Sequence, residues 1–293
     1  MVFWILLGVV AAVVLLTVLV NGILALLQLR YVAGIAPVQY QNQLQPQPLD
    51  GRWVFTTDGD FRVMQLTDVH IGGGWMSFFK DRRAIDCVVR MVTAEQPDLV
   101  AVTGDIAYPV PFQSGTFNNK TAARLFGRVM QNLGVYWAPV LGNHDTESYA
   151  VYNRRYIGKY YQKQKFAKAG SKSYCLFCSG PEGVGNYTVA VKNSRGAVTQ
   201  ALFFTDTGSY VDGDYLGFMW KYDGMHKNQM DWYRGEVKAL TAYNRALGAP
   251  MPKSLMFFHI PIAQYKTAWE AYKENGYKDT GEVQVHYGGI GDK

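Results

Sequence analysis

The stretch APVLGNHDTES (138–148) decides the fold, because its apolar run stops at Gly142 and three polar residues, Asn143, His144 and Asp145, follow at once. Gly-Asn is a common turn pair, so this ending alone is as typical of a turn as of a functional site. Three further apolar runs end in the same manner. They are FRVMQL (61–66) before Asp68 and His70, LVAV (99–102) before Asp105, and SLMFF (254–258) before His259.

These four runs have the length of strands, and each ends in Asp, Asn or His. Such a pattern predicts one sheet whose polar residues gather at one edge. In open α/β sheets, sites form outside the carboxyl ends of the strands. We therefore expect an α/β domain in which the four strand ends converge on metal.

The N-terminal segment 1–29 contains no charged side chain and is almost wholly apolar. It exceeds the roughly 7–15-residue core of a signal peptide and is long enough to span a bilayer. We predict a single transmembrane anchor with the large domain on the exoplasmic side, and the alternative is a cleaved signal. Residues 30–51 are rich in Gln and Pro and predict an extended stalk between the membrane and a domain at 52–293.

The predicted site combines carboxylate, imidazole and amide ligands. Asp68 and His70 lie two residues apart on an extended segment, so both side chains reach one ion from the same side of the chain. Asp105 follows a glycine and can bridge two ions with its two oxygens, while Asn143 offers a carbonyl oxygen and His259 an imidazole. Mixed N/O sets of this kind suit Zn, Mn or Fe rather than Ca²⁺.

Two ions about 3.5–4 Å apart clamp a phosphoryl oxygen and hold a bridging hydroxide for in-line attack on a phosphate ester. His144 stands beside the ligand Asn143, and we expect it to protonate the leaving oxygen or to stabilise charge in the transition state. Asp145 is expected to hold the imidazole of His144 in orientation. The sequence thus predicts a phosphorylated substrate.

The motifs DVH (68–70), GD (104–105), GNHD (142–145) and FHIP (258–261) occur in an order that resembles the calcineurin-like metallophosphoesterase family. FFTDTGSY (203–210) and FFHIPIAQY (257–265) are similar to its purple-acid-phosphatase-like branch. The resemblance implies a β-sandwich flanked by helices and a dinuclear site. It places Asp68, His70 and Asp105 on one ion, and Asp105, Asn143 and His259 on the other, with His144 as the catalytic histidine.

The sequence departs from the family pattern at its C-terminal end. The family closes with a Gly-His-x-His segment that completes both coordination spheres, whereas this chain has a lone His286 in VHYG. We therefore expect a C-terminally incomplete domain in which each ion lacks about one protein ligand, unless His286 or Tyr108 substitutes. The alternative function is a weak or inactive binding or regulatory protein that retains the fold.

The formal net charge of +6 falls outside the membrane segment, and seven Lys and Arg residues occupy positions 154–172 among tyrosines. Such a stretch can bind nucleic acid, contact anionic lipid, steer a phosphorylated substrate or simply be solvated. We favour steering among the functional options and expect no nucleic-acid partner. Asp206 is expected to cap its own turn, and His226 to lie on the surface of an amphipathic helix.

Overall fold

The computed structural model describes residues 1–167, 170–180, 183–211 and 221–278. The helices are α1 (Val2–Ala33), α2 (Phe78–Glu95), α3 (Pro111–Ser114), α4 (Asn119–Leu133), α5 (Arg154–Gln162), α6 (Lys227–Ala246) and α7 (Ala263–Glu274). The strands are β1 (Gln47–Leu49), β2 (Arg52–Thr56), β3 (Val63–Leu66), β4 (Leu99–Thr103), β5 (Trp137–Val140), β6 (Tyr187–Lys192), β7 (Val198–Phe204) and β8 (Lys253–Phe257). A short 3₁₀ turn, His144–Thr146, follows β5.

Three of the four predicted strands form a small parallel sheet in the order β3-β4-β5. Every residue of the central strand β4 is buried. A parallel strand covered on both faces is expected to read as a continuous apolar run, and LVAVT does so. The carboxyl ends of these strands meet at one edge of the sheet, as predicted.

The fourth predicted strand lies elsewhere. Strand β8 pairs with β7 at the edge of a second, five-stranded sheet in the order β1-β2-β6-β7-β8. The expectation of one sheet containing all four strands is therefore wrong. An apolar run reveals that a strand is buried but not which strand it pairs with. Strand β8 runs parallel to β7 and ends at Phe257. His259 therefore follows β8 towards the smaller sheet.

The two sheets pack face to face around one core that includes Val100 and Trp137 of the small sheet and Leu202 and Phe204 of the large one. Helix α4 covers the small sheet, since Phe126 packs edge-on against Trp137. Helix α6 covers the outer face of the large sheet, where Leu240 joins a second apolar cluster with Phe203. The expected β-sandwich flanked by helices is thereby confirmed.

The segment between the apolar helix and the domain, which composition predicts as an extended stalk, is hydrogen-bonded to the domain. The Val38 amide donates to Leu133 O, Tyr40 donates to Pro97 O, and Gln43 donates to Gly134 O. Gln47–Leu49 adds an antiparallel strand to β2. The polar side chains and extended backbone of this segment lie along the surface of the domain. They donate hydrogen bonds to carbonyl groups of the domain.

Candidate metal centre

The loops after β3, β4, β5 and β8 carry the predicted ligands to one place. Backbone pairing fixes the first two loops, because Asp68 N donates to Gly104 O and His70 N donates to Asp105 O. Asp68, His70 and Asp105 all adopt φ between +51° and +54°. This left-handed conformation is uncommon outside glycine and persists where the surroundings impose it, which points to function.

Asp105 is the centre of the cluster. Its Oδ2 lies 3.3 Å from His70 Nε2 and 3.3 Å from His259 Nε2. Its Oδ1 accepts a hydrogen bond of 2.9 Å from the backbone amide of His144. One buried carboxylate thus faces imidazoles that arrive from both sheets, as expected of a bridging ligand. It does so through a single oxygen and not through the two oxygens expected from the sequence, because Oδ1 accepts from the His144 amide.

His259 shows how well the cluster fits a cation. Its Nδ1 lies 2.8 Å from Thr103 O, so this nitrogen carries the proton that the carbonyl accepts. Its Nε2 lies 3.0 Å from Asn143 Oδ1 and 3.3 Å from Asp105 Oδ2. Three atoms with lone pairs face one another here, and only a proton or a metal ion between them makes the arrangement favourable. A backbone carbonyl on the other ring nitrogen is the usual support of a metal-binding histidine.

Two glycines permit this close approach. A Cβ at Gly104 would lie 2.5 Å from His259 Nδ1, and a Cβ at Gly142 would collide with the Asp105 carboxylate. Gly104 also has φ +101°, which side chains rarely adopt. The glycines of GD and GNHD are therefore required by the packing of the site itself.

The orientation of His144 differs from the expectation. Asp145 does not hold its ring: Asp145 Oδ1 accepts from Ala107 N and Oδ2 from Gly142 N. The carboxylate on the ring is Glu147, whose Oε1 lies 2.6 Å from His144 Nδ1. Residues 144–146 form a 3₁₀ turn, which places residue 147 on the side of residue 144 and turns Asp145 into the loop.

Sequence reasoning missed Glu147 and Tyr210. The Tyr210 hydroxyl donates to Glu147 Oε1 at 3.0 Å and accepts from Asn143 Nδ2 at 2.9 Å. The i,i+3 spacing of His144 and Glu147 was the available signal for Glu147. Tyr210 ends the FFTDTGSY stretch that carries part of the family resemblance, but its place in the site depends on a contact with Glu147, 63 residues away in the chain.

Tyr108, the first proposed substitute ligand, packs beside the site through its ring. Its ring stacks on His70 with centroids 4.7 Å apart and meets His144 edge-on at 4.8 Å. The second proposed substitute ligand, His286, lies outside the described residues.

Arg154, the first cation of the basic stretch, stabilises the GNHD loop. It donates to Gly142 O and Leu141 O and forms a bidentate ion pair with Asp206. Asp206 also accepts from Gly208 N, so it caps its turn as predicted and pairs with Arg154 in addition. His226 begins α6 and is exposed, which confirms its surface position.

Most aromatic residues of the basic stretch are buried or stacked on one another. Tyr160 and Tyr161 are buried in the core, and Tyr152 stacks on Tyr156. These rings are therefore not a free platform for stacking bases. Arg155, Lys159, Lys163 and Lys165 are exposed.

The electrostatics of the cluster favour positive charge. Burial raises the pKa of Asp105, but hydrogen bonds from His259 and His70 outweigh it and hold the pKa well below its usual value. Burial lowers the pKa of His259, whereas its hydrogen bond and attraction to Asp105 raise it to about 8. Burial also lowers the pKa of His144, yet Glu147 and Asp105 raise it above its ordinary value. Burial, together with the Asp105 charge, raises the pKa of Asp145 to about 6.

Two groups of acidic and histidine side chains in the described part of the chain have ligand atoms close enough to hold an ion. They are Asp68, Asp105 and His259, and His70, Asp105 and His144. Both groups share Asp105. The structure therefore brings all five predicted ligands together, since His70 Nε2 also lies 3.5 Å from Asp68 Oδ1 and His259 Nε2 lies 3.0 Å from Asn143 Oδ1. It places His144 within ligand distance in addition.

The profile of the calcineurin-like phosphoesterase family matches residues 61–284. Among curated proteins, the chain is 26% identical to "Probable inactive purple acid phosphatase 14" of Arabidopsis thaliana, over 72% of this chain and 56% of that protein. It is 28% identical to "Phosphatase DCR2" of Saccharomyces cerevisiae, over 72% of this chain and 36% of that protein.

Among solved structures, a dimetal phosphatase from Danio rerio aligns with a TM-score of 0.42 and 15% identity, over 70% of this chain and 71% of that one. The chain spans 56% to 57% of the length of the first two Arabidopsis relatives that it matches, both named as probable inactive purple acid phosphatases.

Proposed function

The chain belongs to the calcineurin-like phosphoesterase family, and we propose that it is a membrane-anchored hydrolase of phosphate esters that uses two metal ions. The observation that carries this proposal is the buried Asp105 carboxylate between His70 and His259, with a single oxygen 3.3 Å from each ring. Two metal ions, one towards each ring, would supply the positive charge that favours this carboxylate.

The proposed ligands are Asp68, His70, Asp105, Asn143 and His259, and the ions are Fe, Zn or Mn. Bound ions supply a Lewis acid for the phosphoryl oxygens and an activated water. Asp105 and the neighbouring imidazoles would hold the ions in place, and the Asn143 amide is fixed for ligation by its hydrogen bond to Tyr210.

His144 is the proposed proton donor to the leaving oxygen. Its Nδ1 is held by Glu147, which leaves Nε2 for the substrate and raises the pKa of the ring, so that the protonated form persists nearer to neutral pH. Glu147 is a positioning residue in this scheme. Asp145, with both oxygens on backbone amides, fixes the loop that carries Asn143 and His144 rather than the ring.

Helix α1 is the proposed anchor, and it is long and apolar enough to cross a membrane. Its last turns are part of the folded domain: Val32 is fully buried, Gln28 donates to Phe78 O, and Asn132 donates to Val32 O. A cleaved signal would remove these contacts, so we propose a retained single-pass anchor. The exoplasmic orientation of the domain stays part of this proposal.

The competing function is a family member that retains the fold and binds an ion but does not turn over. The names of the Arabidopsis relatives, which call them probable inactive, favour it. Both functions predict metal binding, so activity has to be measured together with metal content.

The experiment is a metal titration of the full chain in lipid nanodiscs. The chain is stripped with chelator, reloaded with Mn²⁺, Zn²⁺ or Fe²⁺, and assayed with para-nitrophenyl phosphate and its bis-ester. Two ions per chain with turnover that depends on them supports the hydrolase, and Asp105→Asn should lower both the metal content and the turnover. The exposed Asp60→Asn is the matched control and should change neither. Metal binding without turnover under every loading would favour the non-catalytic protein.

A further inference from the structure

The two ends of α1 have different environments. Residues 2–16 are exposed along their whole length, whereas from Thr17 onwards one stripe of the helix faces the domain. Tyr31 donates to Asp86, and α1 packs along α4. The helix is therefore not a flexible tether, because its second half is fixed to the globular part of the protein.

The free part of the helix is too short to span a bilayer alone. Fifteen residues at 1.5 Å each extend about 22 Å, whereas the hydrocarbon core measures roughly 30 Å. A helix that crosses the membrane must also place residues 17–21 within it or at its surface. Whatever part of the domain lies beside these residues is then at the membrane surface too.

Two loops of the domain occupy that place. Asn21 Nδ2 donates to Gly115 O at 2.9 Å, and Trp75 N donates to Asn21 Oδ1 at 2.8 Å. Met76 N donates to Ser114 O, so the loops containing residues 72–79 and 110–117 are bound to each other as well as to the helix.

These loops present apolar side chains to their surroundings. Phe112 is 88% exposed and Phe79 is 72% exposed, and Trp75 and Met76 are about half exposed beside Gly115. We name Trp75, Met76, Phe79 and Phe112 the loop patch. Aromatic side chains grouped at one level beside an apolar helix are typical of the belt at a membrane–water interface.

Cations accompany the loop patch. Lys80 and Arg83 are exposed on the first turns of α2, next to Phe79. The Arg82 guanidinium lies 4.7 Å from the ring centroids of both Tyr31 and Phe78. Lys and Arg next to interfacial aromatic residues pair with lipid phosphates.

We propose that the loop patch docks on the lipid bilayer, so that the domain lies on the membrane surface instead of standing away from it. The patch belongs to the same loops as the metal centre. Trp75 is five residues from His70, a separation of at most about 18 Å, and Phe112 is four residues from Tyr108. Docking therefore holds His70 within about 18 Å of the docked Trp75. This inference rests on the anchor proposed above and is independent of catalysis.

The test uses Trp fluorescence of the full chain in phosphatidylcholine nanodiscs, with and without brominated acyl chains as quencher. The fluorescence of Trp75 is obtained by subtracting the spectrum of Trp75→Phe from that of the unmodified chain. The fluorescence of Trp4 is obtained in the same way with Trp4→Phe. We expect both to be quenched, Trp75 more strongly by bromines near the headgroup than by bromines near the chain end. Trp4 quenched and Trp75 unaffected would overturn the docking while keeping the anchor. If neither is quenched, the anchor and the docking both fail.

A matched pair of variants tests the loop patch itself. Phe112→Asp should reduce quenching of Trp75 at least twofold, because a carboxylate is costly in the interface. Met251→Asp, which alters another exposed apolar side chain outside the patch, should leave it unchanged. Equal quenching in the two variants would overturn the role of Phe112. Circular dichroism of both variants checks that the fold is retained.

Discussion

The inner and outer parts of the candidate metal centre are held in different ways. The inner part, Asp105 and His259, is buried: the Asp105 side chain is 3% exposed, and backbone groups of Thr103 and His144 fix both residues. The outer part, Asp68 and His70, lies at the mouth of the site, where the Asp68 side chain is 49% exposed. Asp68 accepts from its neighbour Thr67.

The difference teaches which residues the fold arranges by itself. Backbone hydrogen bonds and two glycines position the inner part in the protein alone, so its geometry does not depend on an ion. The side chains of the outer part are more exposed to solvent, so an ion would contribute more to their order. Substitutions in the inner part should consequently affect both metal binding and the fold, and substitutions in the outer part should affect metal binding.

The largest effect should follow removal of the shared charge. Asp105→Asn keeps the shape of the side chain but removes the negative charge that both proposed ions require. We expect loss of at least one ion per chain and a fall in turnover of at least about 10⁴-fold, measured by metal analysis and para-nitrophenyl phosphate hydrolysis. Two retained ions with full activity would show that Asp105 is not the bridging ligand.

The next largest effect separates a proton donor from a ligand. His144→Ala should lower kcat by about 10²–10⁴-fold and leave the metal content unchanged, because the proposed ligands remain. His144 also lies within ligand distance of Asp105 and His70. If His144→Ala loses an ion, His144 is a metal ligand and not the proton donor.

A third prediction compares the two parts directly in the metal-free chain. His259→Ala leaves Thr103 O without its buried donor and should lower the free energy of unfolding by about 1–3 kcal/mol. His70→Ala, at the more exposed mouth, should lower it by less, because solvent reaches the groups that the substitution leaves unpaired. Both variants should bind metal more weakly. Denaturant unfolding in the presence of chelator measures the contrast, and equal destabilisation would remove the distinction between inner and outer parts.

The smallest effect should come from the orientation of His144. Glu147→Gln retains an acceptor for Nδ1–H but loses the charge, and we expect kcat to fall by about 10-fold. Because Glu147 raises the pKa of His144, the protonated ring should also be lost at lower pH, and the alkaline limb of the rate profile should move down. A merely structural role for Glu147 would lower activity without moving that limb.

A good part of the site could be read from the sequence. Strand runs that end in Asp, Asn or His located β3, β4, β5 and β8 to within about two residues of their observed bounds. The ligands follow these strands directly, so predicting the strand ends amounted to predicting Asp68, Asp105 and His259 as neighbours. The apolar composition of residues 2–27 likewise made the N-terminal helix evident.

Only the tertiary structure decided how these pieces meet. Three features depend on how the chain folds around the site. They are the sheet to which β8 belongs, the pairing of His144 with Glu147 in place of Asp145, and the position of Tyr210 beside Asn143. The packing of α1 and of residues 37–50 on the domain depends on carbonyl groups that become available once the domain has folded. Local sequence encodes periodicity, charge and turn preference, which act within a few residues. Partner choice between distant segments is set by which surfaces and unpaired polar groups the rest of the fold leaves to be satisfied.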